Sequence, residues 1–258
     1  MHLVDVLALR ATPAAGISIG ITRRCPLHCD HCSTSSTPHS EQSPARIFTR
    51  FVHTFTKSSH PVFMAMSGGE ALLRPNLVRS LAMRARESGT RSSVLSGMFF
   101  AKHGSIPPRI KAAIDAVDHF SASIDVFHER EVARLQVFKV LGRLLDEGKA
   151  LSLHIAGEHA EDPYLDHITQ DVKKHFGRRI PMLVNTLSPF GRGQSLIRFK
   201  NAGDLAVAPQ NINPCTMAAW PVVGFDGIVA ACGNDNLIGQ VPEHLRLGDI
   251  RHDDWSTI

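Results

Sequence analysis

Cys25-Pro26-Leu27-His28-Cys29-Asp30-His31-Cys32 places three of the five cysteines of a 258-residue chain within eight positions, spaced Cys-x3-Cys-x2-Cys. Thiolates this close can wrap one metal centre from a single loop. Three ligands are one short of the four that close a structural zinc or iron–sulfur site, which leaves one coordination position open. Two outcomes fit the spacing: a zinc site completed by His28, His31 or His39, or a cluster whose open iron takes an outside ligand.

The stretch before the loop, residues 17–21, is a short apolar run that reads as a strand. After it, Ser43 is expected to cap a helix with Pro44 at the first helical position, and Ile47, Phe48, Phe51, Val52 and Phe55 recur at helical spacing. Residues 62–66 form a second strand, ending in Ser67-Gly68-Gly69-Glu70, and Pro75 opens a second helix. The alternation continues with strands at 93–96, 120–125, 151–155 and 182–187, and helices at 106–117, 129–147 and 163–176. Gly148 and Gly177 stand where helices stop. Six strands alternating with five helices predict an α/β fold with a parallel sheet and right-handed crossovers. The chemically suggestive residues follow the strands, which is where a βα barrel assembles its site. Six repeats are too few to close an eight-stranded barrel, so a partial (β/α)6 TIM-like barrel follows. Beyond it, residues 222–229 read as a small C-terminal β-hairpin turning at Asp226-Gly227. The expected organisation is an N-terminal lead-in (1–15), the barrel (16–201) and the extension (202–258).

The order strand, cysteine loop, helix, strand, Gly-Gly-Glu resembles the radical S-adenosylmethionine superfamily, over roughly residues 16–233. The resemblance implies a [4Fe-4S] cluster on Cys25, Cys29 and Cys32, with S-adenosylmethionine on the open iron. It puts His31 at a position that is commonly aromatic, and Gly68, Gly69 and Glu70 against the methionyl amine. Ser121, Ser123 and Asp125 share one face of a strand by period-two spacing. They resemble the segment that meets the cofactor's ribose and carboxylate, with a polar strand edge as the plain alternative. Arg192, in Ser188-Pro189-Phe190-Gly191-Arg192-Gly193, resembles the Pro-x-Gly-Arg segment after the sixth strand and would hold a carboxylate of cofactor or substrate; a solvated arginine is the alternative. Ser96-Gly97 stands in place of a Thr-Asn-Gly turn, and His154 and Glu158 lie where adenine contacts are usual.

Cys215 and Cys232 flank the hairpin like the start of a twitch or SPASM extension. They would be ligands of an incomplete second iron–sulfur cluster, hydrogen donors to a substrate radical, or free thiols in a degenerate module. The resemblance implies cleavage of S-adenosylmethionine to a 5′-deoxyadenosyl radical and hydrogen abstraction in peptide or natural-product modification. The alternatives are oxidation or rearrangement of a sugar or nucleoside, and a non-catalytic zinc- or iron–sulfur-binding protein. The implied partners are a peptide or small-molecule substrate, an electron donor such as flavodoxin or ferredoxin, and a separate leader-peptide-binding protein.

Composition agrees with a globular chain: 43% hydrophobic, 20% charged, net charge +4. The basic residues are scattered, and one Tyr and two Trp offer little for base stacking, so no nucleic-acid partner is expected. No run approaches the roughly 20 apolar residues of a membrane helix. The clustered cysteines are unlike a disulfide framework, which predicts a reduced, cytoplasmic protein.

Overall fold

A computed structural model describes residues 2–197, 215–237 and 239–258. The parallel strands are β1 (Gly16–Gly20), β2 (Phe63–Ser67), β3 (Arg91–Ser96), β4 (His119–Ile124), β5 (Leu151–Gly157) and β6 (Met182–Thr186). Between them run α2 (Ala45–His53), α3 (Pro75–Ser88), α4 (Pro108–Ala116), α5 (Val126–Glu131), α6 (Arg134–Asp146) and α7 (Pro163–Phe176), while α1 (Leu3–Leu9) precedes β1. Three short strands follow: β7 (Val222–Val223), β8 (Ile228–Ala230) and β9 (Arg246–Asp249). All nine join one open sheet in the order β6-β5-β4-β3-β2-β1-β7-β8-β9.

The register gives the sheet two unlike faces. Ile19, Met66, Val94, Phe120 and Leu151 lie in one row across five strands. All are buried in the apolar core that includes Phe48, Phe51, Val78, Leu81 and Leu141 of the helices. The row beside it on the opposite face, the inside of the open barrel, reads Ser18, Ala65, Ser93 and His119. Deeper along it, His119 Nε2 and Ser121 Oγ each meet Ser152 Oγ, at 2.8 and 2.9 Å. Period-two alternation puts apolar side chains under the helices and small or polar ones inside the barrel.

The six-stranded barrel and the Asp-Gly hairpin are as expected, and four details differ. Residues 129–147 are not one helix: Val132 and Ala133 adopt extended backbone and separate α5 from α6. Pro44 sits at the cap rather than inside the helix, with ψ of 142°, and no side chain caps α2. The lead-in contains α1, closed by a His2–Asp5 capping box. The hairpin is no separate layer, because β7 pairs parallel with β1 and β8 takes β9 as a further strand. Buried Trp220 secures this edge: its indole N–H donates to Leu9 O at 3.1 Å, and its ring lies where a Cβ on Gly16 would stand, at 2.5 Å. The expected boundary at 201/202 lies outside the described residues.

Candidate active site

The cysteine loop leaves the C-terminal end of β1 and is walled by the turns that follow three other strands. The first wall is Ser67-Gly68-Gly69-Glu70, after the neighbouring strand β2. Gly69 N donates to Thr22 O and Glu70 N to Arg24 O, both at 2.8 Å. A Cβ on Gly68, whose φ is +151°, would stand 2.2 Å from Thr22 O, and one on Gly69 2.5 Å from Arg23 O and Arg24 O. The glycines are required by the close approach of the loop's own stem. Glu70 is 1% exposed; it accepts from Leu72 N (2.9 Å), Ser96 Oγ (3.0 Å) and Gly97 N (2.9 Å). Burial pushes its carboxyl up to about 7 against the lowering effect of those three donors. Glu70 therefore ties the β2 turn to the β3 turn.

The second wall is the start of α5. Asp125 is both the end of the β4 run and the N-cap of α5, accepting from Phe127 N and His128 N at 2.9 Å. Its other oxygen meets His128 Nδ1 at 2.6 Å and His31 Nε2 at 3.2 Å. Burial would raise this carboxyl, but the charge of His128 and the bonds from both imidazoles win and hold it below the ordinary carboxylate range. His31 stacks on Phe127 with ring centroids 4.7 Å apart, and its Nδ1 is buried without a partner. Glu131, at the end of α5, accepts His28 N at 3.0 Å.

The third wall is the turn at Gly191–Ser195, after β6. Arg192 N donates to Cys32 O (2.9 Å), Arg192 Nε and Nη2 to Cys29 O (3.1 and 2.9 Å), and Nη1 to Ser36 O (2.8 Å).

Inside these walls Cys29 is buried, and Cys25 and Cys32 are half-buried free thiols. Burial pushes Cys25 up to about 12, with Glu70, Cys29 and Cys32 adding to the rise. Burial also opposes ionisation of Cys32, but bonds from Thr34 and Ser36 and the charge of Arg192 bring it below its ordinary value. Ser36 N donates to Cys32 Sγ at 3.3 Å. Among the described residues, the group of His, Cys, Asp and Glu ligand atoms lying within 4.8 Å of one another is His31, Asp125 and His128, with no cysteine in it. Cys29 in turn hydrogen-bonds His128 of that group, so the second wall meets a thiol as well as the loop backbone.

The expected site residues meet this loop unevenly. Gly68, Gly69, Glu70, Asp125 and Arg192 all stand against it or its stem. Ser123 and His154 face each other across β4 and β5 inside the barrel. Burial and the charge of His119 push His154 down to about 4. Glu158 N is capped by Asp162 at 2.8 Å, and Glu158 itself is exposed. Cys215 is exposed and Cys232 half-buried, each free. The contacts that sequence reasoning did not give are Asp125 with both histidines, and Arg192 with the loop carbonyls. Asp125 followed by His128 is an i, i+3 signal that could have been seen; backbone acceptors leave none.

No protein-family model and no curated protein matches the chain. Solved structures do. SuiB from Streptococcus suis, bound to precursor peptide SuiA, is similar at a TM-score of 0.67 and 12% identity, over 97% of this chain and 66% of its own. The chain thus spans just under two thirds of SuiB, which has also been solved with S-adenosylmethionine. Native anSMEcpe, with bound AdoMet and Cp18Cys peptide, is similar at 0.59 and 12% identity, over 94% of this chain and 79% of its own. The chain therefore has the fold expected from the radical S-adenosylmethionine resemblance: an open, mostly parallel partial barrel ending in an antiparallel hairpin.

Proposed function

We propose that this chain is a radical S-adenosylmethionine enzyme acting on a peptide. The observation that carries the proposal is the set of three free thiols on one loop at the C-terminal end of β1, walled on three sides by the turns after β2, β4 and β6. Cys25, Cys29 and Cys32 would hold three irons of a [4Fe-4S] cluster, and S-adenosylmethionine would take the fourth. Together the two groups would supply reductive cleavage of the sulfonium to a 5′-deoxyadenosyl radical, the species that abstracts a substrate hydrogen.

The protein's part is to shape the cysteine loop and shield it from water. Gly68 and Gly69 fix the stem of the loop, and buried Glu70 locks the β2 and β3 turns together at the rim. Asp125 fixes the orientation of His31 and His128, and Ser123 faces the barrel interior on the same strand. These residues form the proposed cofactor side. The peptide substrate is supported by SuiB and anSMEcpe, both solved with peptides bound. A flavodoxin- or ferredoxin-like donor would deliver the electron. No helix among the described residues is long and apolar enough to cross a membrane.

The test is anaerobic reconstitution with iron and sulfide, then dithionite and S-adenosylmethionine, assaying 5′-deoxyadenosine. The expected result is about four irons per chain and product that vanishes when Cys25, Cys29 and Cys32 are all replaced by Ala. A colourless protein holding one zinc and forming no nucleoside would sink the proposal.

A further inference from the structure

We infer that Gly191-Arg192-Gly193 is a clasp that retains the iron–sulfur cluster by holding residues 29–36 in their ligating shape, which makes Arg192 a positioning residue for the cysteine loop. The inference rests on the cluster reading of Cys25, Cys29 and Cys32 given above.

Three observations carry it. The first is the fork of Arg192. Nε and Nη2 converge on Cys29 O, Nη1 reaches Ser36 O, and the backbone N–H of the same residue takes Cys32 O, all between 2.8 and 3.1 Å. One rigid, permanently charged group thus ties the carbonyl of Cys29 to the far end of the loop at Ser36, and the backbone N–H of the same residue holds that of Cys32. The second is the pair of glycines. A Cβ on Gly191, at φ +57°, would lie 2.4 Å from Cys32 O and 2.3 Å from Ser33 O, and one on Gly193 2.9 Å from His31 O. The two backbones are in direct contact, and side chains at those positions would pry them apart. The third is the surroundings. A cleft of about 510 Å³ is lined by Gly191 and Arg192 themselves together with Asp30, Gln194, Ser195 and Leu196. With the guanidinium already bonded to carbonyls and a carboxylate already in the cleft, Arg192 is poorly placed to take a cofactor or substrate carboxylate.

The two roles predict opposite results for Arg192→Ala. Partners that orient metal ligands change metal affinity by about 10–100-fold when removed. After anaerobic reconstitution, the variant should lose iron to bathophenanthroline about tenfold faster or more than wild type. The S-adenosylmethionine affinity of the protein still loaded should stay within about twofold, since less than half a kcal/mol is at stake. Arg192→Lys, which keeps the charge and loses the fork, should release iron nearly as fast as the alanine variant.

Amide exchange on the iron-free protein gives an independent readout: faster exchange should be confined to residues 29–36. Iron held as tightly as wild type, with S-adenosylmethionine binding lost, would overturn the clasp in favour of a carboxylate-binding arginine. Exchange raised equally in the barrel strands would overturn it by making Arg192 an ordinary stabilising residue. A wild-type protein that takes up no iron would instead remove the cluster reading, and the clasp with it.

Discussion

Two glycine-containing turns press backbone to backbone on the same loop, yet they come from strands four places apart in the sheet. The turn after β2 belongs to the strand paired with β1, so its contacts with Thr22 and Arg24 continue the sheet's own ladder by two more hydrogen bonds. The turn after β6 comes from the far edge, five strands away in the sheet order. It reaches residues 29–36 only because the open sheet curls. The first is a local brace; the second closes through loops a ring that the strands leave open. A barrel that cannot seal itself by strand pairing is sealed at the rim where its site lies.

The comparison can be broken by substitution, beginning with the brace. Gly69→Ala would set a Cβ 2.5 Å from the carbonyl oxygens of Arg23 and Arg24 in the loop stem, which the bonds from Gly69 N and Glu70 N hold against the β2 turn. It should cost about 4 kcal/mol in urea unfolding and abolish iron uptake. Asp125→Ala tests the wall between the two turns. It removes the cap of α5 and leaves His128 and His31 without their shared partner. A loss of about 3 kcal/mol is expected, and a variant as stable as wild type would show that the α5 wall carries no weight.

Glu70 gives a pH signature on the brace side alone. Its folded value of about 7 lies above its ordinary 4.5. Between those values the folded chain keeps a proton that the unfolded chain releases. Its contribution is therefore full below about pH 4.5 and lost as pH rises through 7. The stability of wild type relative to Glu70→Gln should fall by about 2–3 kcal/mol from pH 4.5 to 7.5; a flat difference would contradict the assigned burial. Gly191→Ala, on the clasp side, should cost only about 1 kcal/mol, because an edge turn can move away. It should nonetheless hasten iron release as Arg192→Ala does.

How much of this was legible in sequence follows the same division. The apolar rows under the helices are written as period-two and helical patterns, so Ile17, Met64, Phe120 and Leu153 announced their strands. Three thiols within eight residues announced the loop. The break at Val132-Ala133 was hidden because both residues suit a helix pattern, and Asp125 was read as a strand residue while it served as a cap. β9 was missed because Arg246, Leu247 and Gly248 form no alternating run and pair only once β8 is in place. For Arg192, the sequence could mark the residue but not its acceptors, which are backbone carbonyls whose positions only the fold decides.

The clasp also has a consequence in time. Arg192 lies 163 positions after Cys29, its principal acceptor. At synthesis rates of about 5–20 residues per second, a nascent chain carries its three thiols for roughly 8–30 s before the residue that secures their loop has been made. Chain growth itself thus sets an interval in which the thiols are present and their outer wall is not. On the cluster reading proposed above, oxidation of the emerging loop would compete with delivery of iron to it within that interval, until the turn after β6 arrives.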